Sequence, residues 1–230
     1  MKQVSGSHRK AEQASGRGQP RLLLIEPLAL IVLTIADFFD LVPLSRTPFL
    51  LLICWVSLRI RGLAWRDIGL TPPRRWAQAI GAGIVAGLAI ELLATNITTP
   101  WIASITGTPP DLSDFQELQG NLQLLLIFLA LAAFGEELAF RGYLMNRVAD
   151  VFHGSRGAWI TSLVVVSIYF GFGHGYQGLT GIAQESLSAI WLGLLFLASG
   201  RNLTVPIVAH GVSNTLALIL IYLGRYPGLY

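Results

Sequence analysis

Phe134-Gly-Glu-Glu-Leu-Ala-Phe-Arg-Gly-Tyr-Leu-Met-Asn-Arg147 continues an apolar run that begins at Leu122 and sets two adjacent carboxylates and a guanidinium inside the same hydrophobic pattern. An ionisable group at membrane depth costs roughly 2.5–3.5 kcal/mol on insertion scales, and such groups tend to face the interior of a bundle and to mark function. Two neighbouring glutamates also repel each other. On an α-helix Glu137 and Arg141 stand four apart with the acid N-terminal, the better orientation for an ion pair. Glu136 lies about 100° further round; the spacing pairs it with nothing in the motif and assigns it to work on a water. The bland alternative is a structural buried ion pair, with the second acid satisfied by a neighbouring helix.

Working outward, hydrophobic residues make up 53% of the chain and charged residues 13%. With a mean hydropathy of +0.60, this is no ordinary soluble domain. The apolar residues fall in blocks of about 15–20, long enough to cross a hydrocarbon core as helices. The expected fold is therefore all-α, a polytopic transmembrane bundle of about seven spans with room for an eighth. Basic residues flank these spans instead of forming a groove with aromatics, which argues against nucleic acid as a partner. Cys54, the only cysteine, reads as a small buried hydrophobe.

Residues 1–20 are polar and read as a disordered cytoplasmic tail ahead of a single membrane domain, 21–230. The expected spans are Leu22–Phe39, Pro48–Ile60, Trp76–Thr95, Leu122 into the glutamate motif and on to about Asp150, Ala158–Phe172, Ile182–Ala198 and Thr204–Leu223. Gly81, Gly83 and Gly87 allow close helix contact in the third of these. Residues 96–120 read as an outward loop in which Ser113-x-x-Gln116 opens a short helix as a capping box. With the N-terminus inside, all Lys and Arg except Arg46 and Arg225 fall in cytoplasmic segments, as the positive-inside rule asks.

Two histidines lie in apolar context. His174 closes the fifth span, and His210 lies in the seventh with Asn214 four residues on, hence on the same face. Either one alone is more often hydrogen-bonded to a neighbouring helix than catalytic. Together with Glu136, Glu137 and Arg141 they supply a general base, a proton-handling imidazole and donors able to hold an oxyanion. Glu26, Glu91 and Glu185 sit near the expected span ends and read as acids reaching interfacial water. No His-Glu-x-x-His pair, nucleophile elbow or glycine-rich phosphate cradle occurs in the sequence. Ser167 is not singled out as a nucleophile.

Three motifs stand in order: Glu136-Glu137-x-x-x-Arg141, Phe170-x-x-x-His174 and His210-x-x-x-Asn214. In them the chain resembles the CAAX-protease and bacteriocin-processing (Abi) family of intramembrane proteases, and the type II CAAX prenyl endopeptidases among them. The resemblance covers about residues 120–223, and Trp65-Arg-Asp-Ile-Gly-Leu70 is similar to the family's upstream loop.

The resemblance implies an endopeptidase of a prokaryotic plasma membrane, with its site towards the cytoplasm and peptides or membrane proteins as substrates. Glu136 and His174 would activate a water, and His210 and Asn214 would hold the oxyanion. Glu137, Arg141 and Phe170 would support them. A non-catalytic immunity or scaffold protein of the same family is the alternative.

No metal is expected, with zinc the runner-up. Two histidines and a glutamate fit a catalytic zinc, but Arg141 lies one turn from the glutamates and Asn214 is a poor ligand. One expectation sits awkwardly. These boundaries put Glu136 and His210 roughly 9 Å from the cytoplasmic edge and His174 nearer the outer side.

Overall fold

The structure, a computed structural model, describes residues 22–39, 41, 42, 46–113, 115, 129 and 131–227. The tail 1–20, the expected start of the fourth span at Leu122, and Gln116 lie outside the described residues. The described chain is helical and falls into two compact units, Met1–Ala64 and Trp65–Tyr230.

The first unit holds α1 (Leu22–Phe38) and α2 (Thr47–Ile60). Glu26 is not an acid reaching for interfacial water. Arg61 Nη2 lies 2.8 Å from both of its carboxylate oxygens, and Ser57 Oγ donates to it as well. Arg46 pairs with Asp37 at 3.2 Å. Both acids lie on α1 and are satisfied by arginines that flank α2, the condition for keeping a charge among apolar residues. Cys54 is fully buried.

In the second unit α3 (Trp76–Leu93) runs through a π turn (Ala94–Thr98) into α4 (Thr99–Thr106). This makes one continuous helix of 31 residues, where a loop was expected from residue 96. Pro100 sits in the first turn of α4, where a missing N–H is tolerated. The wider π turn absorbs the change of register, with the Thr99 N–H bonding back to Ala94 O. Asn96 Nδ2 takes the Leu92 carbonyl. Beyond that helix Asp111 turns the chain, and the capping box expected at Ser113 falls partly outside the described residues with Gln116. The Asp111 carboxylate accepts the Ser113 N–H at 3.0 Å, and this hydrogen bonding holds its pKa below the usual carboxylate range.

The glutamate motif is wound as a π-helix from Leu131 to Leu144 and continues as α5 (Met145–Val151). Then come α6 (Arg156–Phe172), a 3₁₀ turn (Gly175–Gln177), α7 (Gly178–Ala198) and α8 (Thr204–Tyr222). Ser155 caps α6, its Oγ accepting the Ala158 N–H. Among the described residues three helices are long and apolar enough to cross a membrane: Trp76–Thr106, Gly175–Ala198 and Thr204–Tyr222.

Glycines set the tightest packing. A Cβ on Gly83 would stand 2.6 Å from Val208 Cβ, and one on Gly87 would collide with the Ala209 carbonyl; Gly81 meets nothing. So α3 lies directly on α8, and Ile90, Leu192 and Ala209 close a core between α3, α7 and α8. The opposite face of α3, with Val85 and Leu92, is exposed and apolar, as a helix against lipid would be. Gly87→Leu is expected to destabilise the protein by about 1–3 kcal/mol through overpacking. Gly81→Leu should leave the unfolding midpoint in detergent unmoved. Equal midpoints for the two variants would contradict this packing.

Candidate active site

The loop read from sequence as Trp65–Leu70 forms a 3₁₀ turn (Trp65–Ile68) that braces the glutamate segment. Gly142 faces Ile68 and Leu203 so closely that a Cβ would lie 3.1 Å from each. Gly69 O accepts the Leu203 N–H, and Asn202 Nδ2 reaches Thr71 O at 2.8 Å. An i→i+5 ladder turns through a smaller angle per residue than an α-helix, and π segments recur at functional sites. Here it brings both glutamates to bear on one histidine of α8.

Glu137 is completely buried. Its Oε1 accepts from Arg141 Nη1 at 2.8 Å and lies 2.8 Å from His210 Nδ1, while Oε2 has no hydrogen-bond partner among the described residues. Arg141 is 1% exposed, donates its Nη2 to Ala189 O of α7, and stacks 4.7 Å from the centre of the Phe170 ring. The expected Glu137–Arg141 pair is thus present and extends to His210. Glu136 Oε2 stands 4.0 Å from His210 Nε2. His210 therefore lies between the two carboxylates, an arrangement the spacing did not foreshadow.

Phe170 joins the second motif to this cluster. Its ring centroid is 4.7 Å from that of His174 and 6.2 Å from that of His210. His174 Nδ1 lies 3.0 Å from Phe170 O. The mismatch in depth resolves here. The chain runs on beyond Glu136 to Val151, and the 17-residue α6 returns antiparallel beside it, with Ser162 Oγ on Met145 O. The two lengths are similar at about 1.5 Å per residue, so His174, just beyond the end of α6, comes back to the level of Glu136.

A cavity of about 50 Å³ opens beside the cluster, with His210, Asn214, Phe170, Ser213, Glu91 and Glu185 in its lining. His210 and Asn214 reach it from one face, as their spacing requires.

Glu91 and Glu185 were expected at span ends, and the structure moves both inward. The third helix does not stop at Thr95, so Glu91 is in its interior, 5% exposed, with Ser213 Oγ at 2.8 Å and Thr95 Oγ1 at 3.1 Å. Helix α7 starts at Gly178, four residues earlier than expected, which sets Glu185 two turns in. An intramembrane acid inside a span was the available signal; misplaced boundaries hid it. Among the described residues no group of three His, Cys, Asp or Glu has the geometry of a metal site.

Residues 118–216 match the family model described as type II CAAX prenyl endopeptidase, Rce1-like. The family resemblance carried by the three motifs therefore holds over that stretch. No curated protein and no solved structure matches the chain.

Proposed function

We propose that this chain, Rce1-like over residues 118–216, is an intramembrane endopeptidase that hydrolyses a peptide bond with an activated water. One observation carries the reading: Glu137, Arg141 and His210 form one hydrogen-bonded cluster, with Glu136 4.0 Å from His210, beside a polar cavity that His210 and Asn214 line. A carbonyl only accepts, so His174 Nδ1 donates its proton to Phe170 O. In the neutral ring Nε2 then carries the lone pair that a water-activating base needs. Glu136 is the partner carboxylate, taking the proton as the water attacks.

His210 is oriented by the same logic. Its Nδ1–H is committed to Glu137, so Nε2 donates to an oxyanion only from the doubly protonated ring. Glu137 is the counter-charge for that form, and the Asn214 amide supplies the second donor. Arg141 holds Glu137 in place and touches no substrate.

The reaction needs no metal in this scheme. The guanidinium one turn away disfavours a cation among these carboxylates, and the described acids and histidines do not converge as ligands. The protein would sit in a prokaryotic plasma membrane, N-terminus inside, with the site open towards the cytoplasm or laterally to lipid. Prenylated C-terminal peptides, leader peptides and membrane-protein loops are all candidate substrates.

The test is reconstitution of the full chain in liposomes with a mixture of such peptides, and mapping of the products by mass spectrometry. Internal cleavage that survives exhaustive chelation, with no stoichiometric zinc by elemental analysis, is the expected result. Activity that vanishes on chelation and returns with zinc would overturn the metal-free scheme. Binding of a peptide without cleavage would favour the immunity or scaffold alternative.

A further inference from the structure

The cavity beside His210 and Asn214 lies between α3, α7 and α8, and polar groups from each of these helices line it. Packing accounts for part of that polarity. Thr180, Gln184 and Ser188 stand four apart on one face of α7. Thr180 Oγ1 donates to Thr108 O at 2.6 Å, and Gln184 Oε1 accepts from Thr98 Oγ1 at 2.7 Å. Glu91 takes Ser213 Oγ on one oxygen and Thr95 Oγ1 on the other. Such bonds between helices are the ordinary use of polar side chains inside a membrane.

Ser188, Glu185 and Asn214 are left over. The Ser188 hydroxyl accepts from Gln184 Nε2 at 3.2 Å, and its own proton has no acceptor among the described residues. The side chains of Glu185 and Asn214 have no hydrogen-bond partner among the described residues. Each of these residues is partly buried and lines the cavity. A polar group withdrawn from bulk water is costly unless something bonds to it. A void lined in this way fills with water, whereas cavities that stay empty are apolar. The size agrees: about 50 Å³ takes about three waters at roughly 10–15 Å³ each. Their partners come from two walls, Glu185 and Ser188 on α7 and Asn214 on α8.

Position gives this water a use. Hydrolysis consumes a water for every bond cut, and α3 turns an apolar outer face, with Val85 and Leu92, away from the site. Glu136 and His174 do not line the cavity, so it is not where the attack takes place. Phe170 does line it, and its ring centroid lies 4.7 Å from that of His174. His210 lines it as well and stands 4.0 Å from Glu136. Water leaving the cavity therefore crosses a single layer of side chains, Phe170 and His210, before it meets the proposed base.

We infer that the cavity between α3, α7 and α8 is a water store that supplies the attacking water, with Glu185 and Ser188 holding its contents. This rests on the endopeptidase reading above and adds where its second substrate waits. Asn214 is shared, since its amide has two donors and an acceptor, enough to meet both a stored water and an oxyanion.

The test is pulsed radiolysis of the full chain in liposomes. The pulse turns bound water into hydroxyl radicals where it sits, and mass spectrometry locates the oxidised side chains. Phe170 and Leu192 line the cavity and are 1% and 3% exposed; Phe196 and Leu203 are fully buried and do not line it. Phe170 and Leu192 are expected to be oxidised several-fold faster than Phe196 and Leu203. Ser188→Leu should abolish that contrast by filling the space, with Ser188→Val in its place if the larger side chain prevents folding. The same variant should lose kcat several-fold on a mapped peptide at unchanged KM, because the peptide is still bound and only the water is short. Ser188→Ala, which keeps the space and removes one hydroxyl, should fall between the two. A wild-type protein without the contrast overturns the inference. So does a merely structural Ser188, whose variants would melt earlier with the contrast intact, or a folded Ser188→Leu protein that loses the contrast at full kcat.

Should no peptide be cleaved, radiolysis still decides the point. A contrast lost in Ser188→Leu keeps the water site while the protease reading falls. Absence of the contrast removes the water site as well.

Discussion

Glu136→Gln is expected to lower turnover by about 10²–10⁴-fold, the range of a lost general base, in a protein that still inserts and unfolds at the wild-type temperature. The amide keeps the volume and a hydrogen-bonding oxygen, so the contact with His210 Nε2, 4.0 Å in the wild type, is not lost for lack of reach. The substitution removes only the capacity to take a proton and to carry charge. Glu137→Gln gives the informative contrast. It weakens the anchors of both Arg141 and His210, so it should reduce activity and stability together. The measurement is cleavage of one mapped peptide alongside a thermal melt in detergent for each variant. Full activity in a well-folded Glu136→Gln protein would end the assignment of Glu136 as base.

Arg141→Leu is expected to be the most destabilising single change in the site, by about 3–5 kcal/mol, the cost of breaking a buried pair from one side. Glu137 would keep its charge with no exposure to water and only His210 as partner. The Ala189 carbonyl and the face of Phe170 would also lose the guanidinium. Replacing both members, Arg141→Leu with Glu137→Leu, should recover much of the folding loss, because no charge is then stranded, while activity stays absent. Denaturant or thermal unfolding of the single and double variants decides it. A single variant as stable as wild type would mean that the pair does not hold the π segment in place.

Much of this site was legible from residue order alone. The i, i+4 spacing of Glu137 and Arg141 foretold their ion pair, and that of His210 and Asn214 foretold their shared face; both follow from helix periodicity, a local property. The apolar blocks likewise announced helices able to cross a membrane, because chain length against hydrocarbon thickness is a local sum. That α3 can take a close helix contact was readable at its glycines, since only glycine leaves that room; that the contact is with α8, at Gly83 and Gly87 and not at Gly81, was not.

What the tertiary structure decided was every relation between helices. That His210 sits against both glutamates, that α6 returns His174 to the level of Glu136, and that Phe170 touches both imidazoles depend on how α6 and α8 pack on the glutamate segment. No spacing within one helix encodes that. The π winding of Leu131–Leu144 and of Ala94–Thr98 was also out of reach. A hydrophobic pattern of period 3.6 does not announce an i→i+5 ladder, and a π turn that carries a helix past Pro100 looks in sequence like a helix end. That misreading put Glu91 at a boundary, and a late start for α7 did the same to Glu185. Whether an acid reaches water or lines a cavity depends on where its helix stops, and for these two glutamates the turns and neighbours beyond the local pattern determine it.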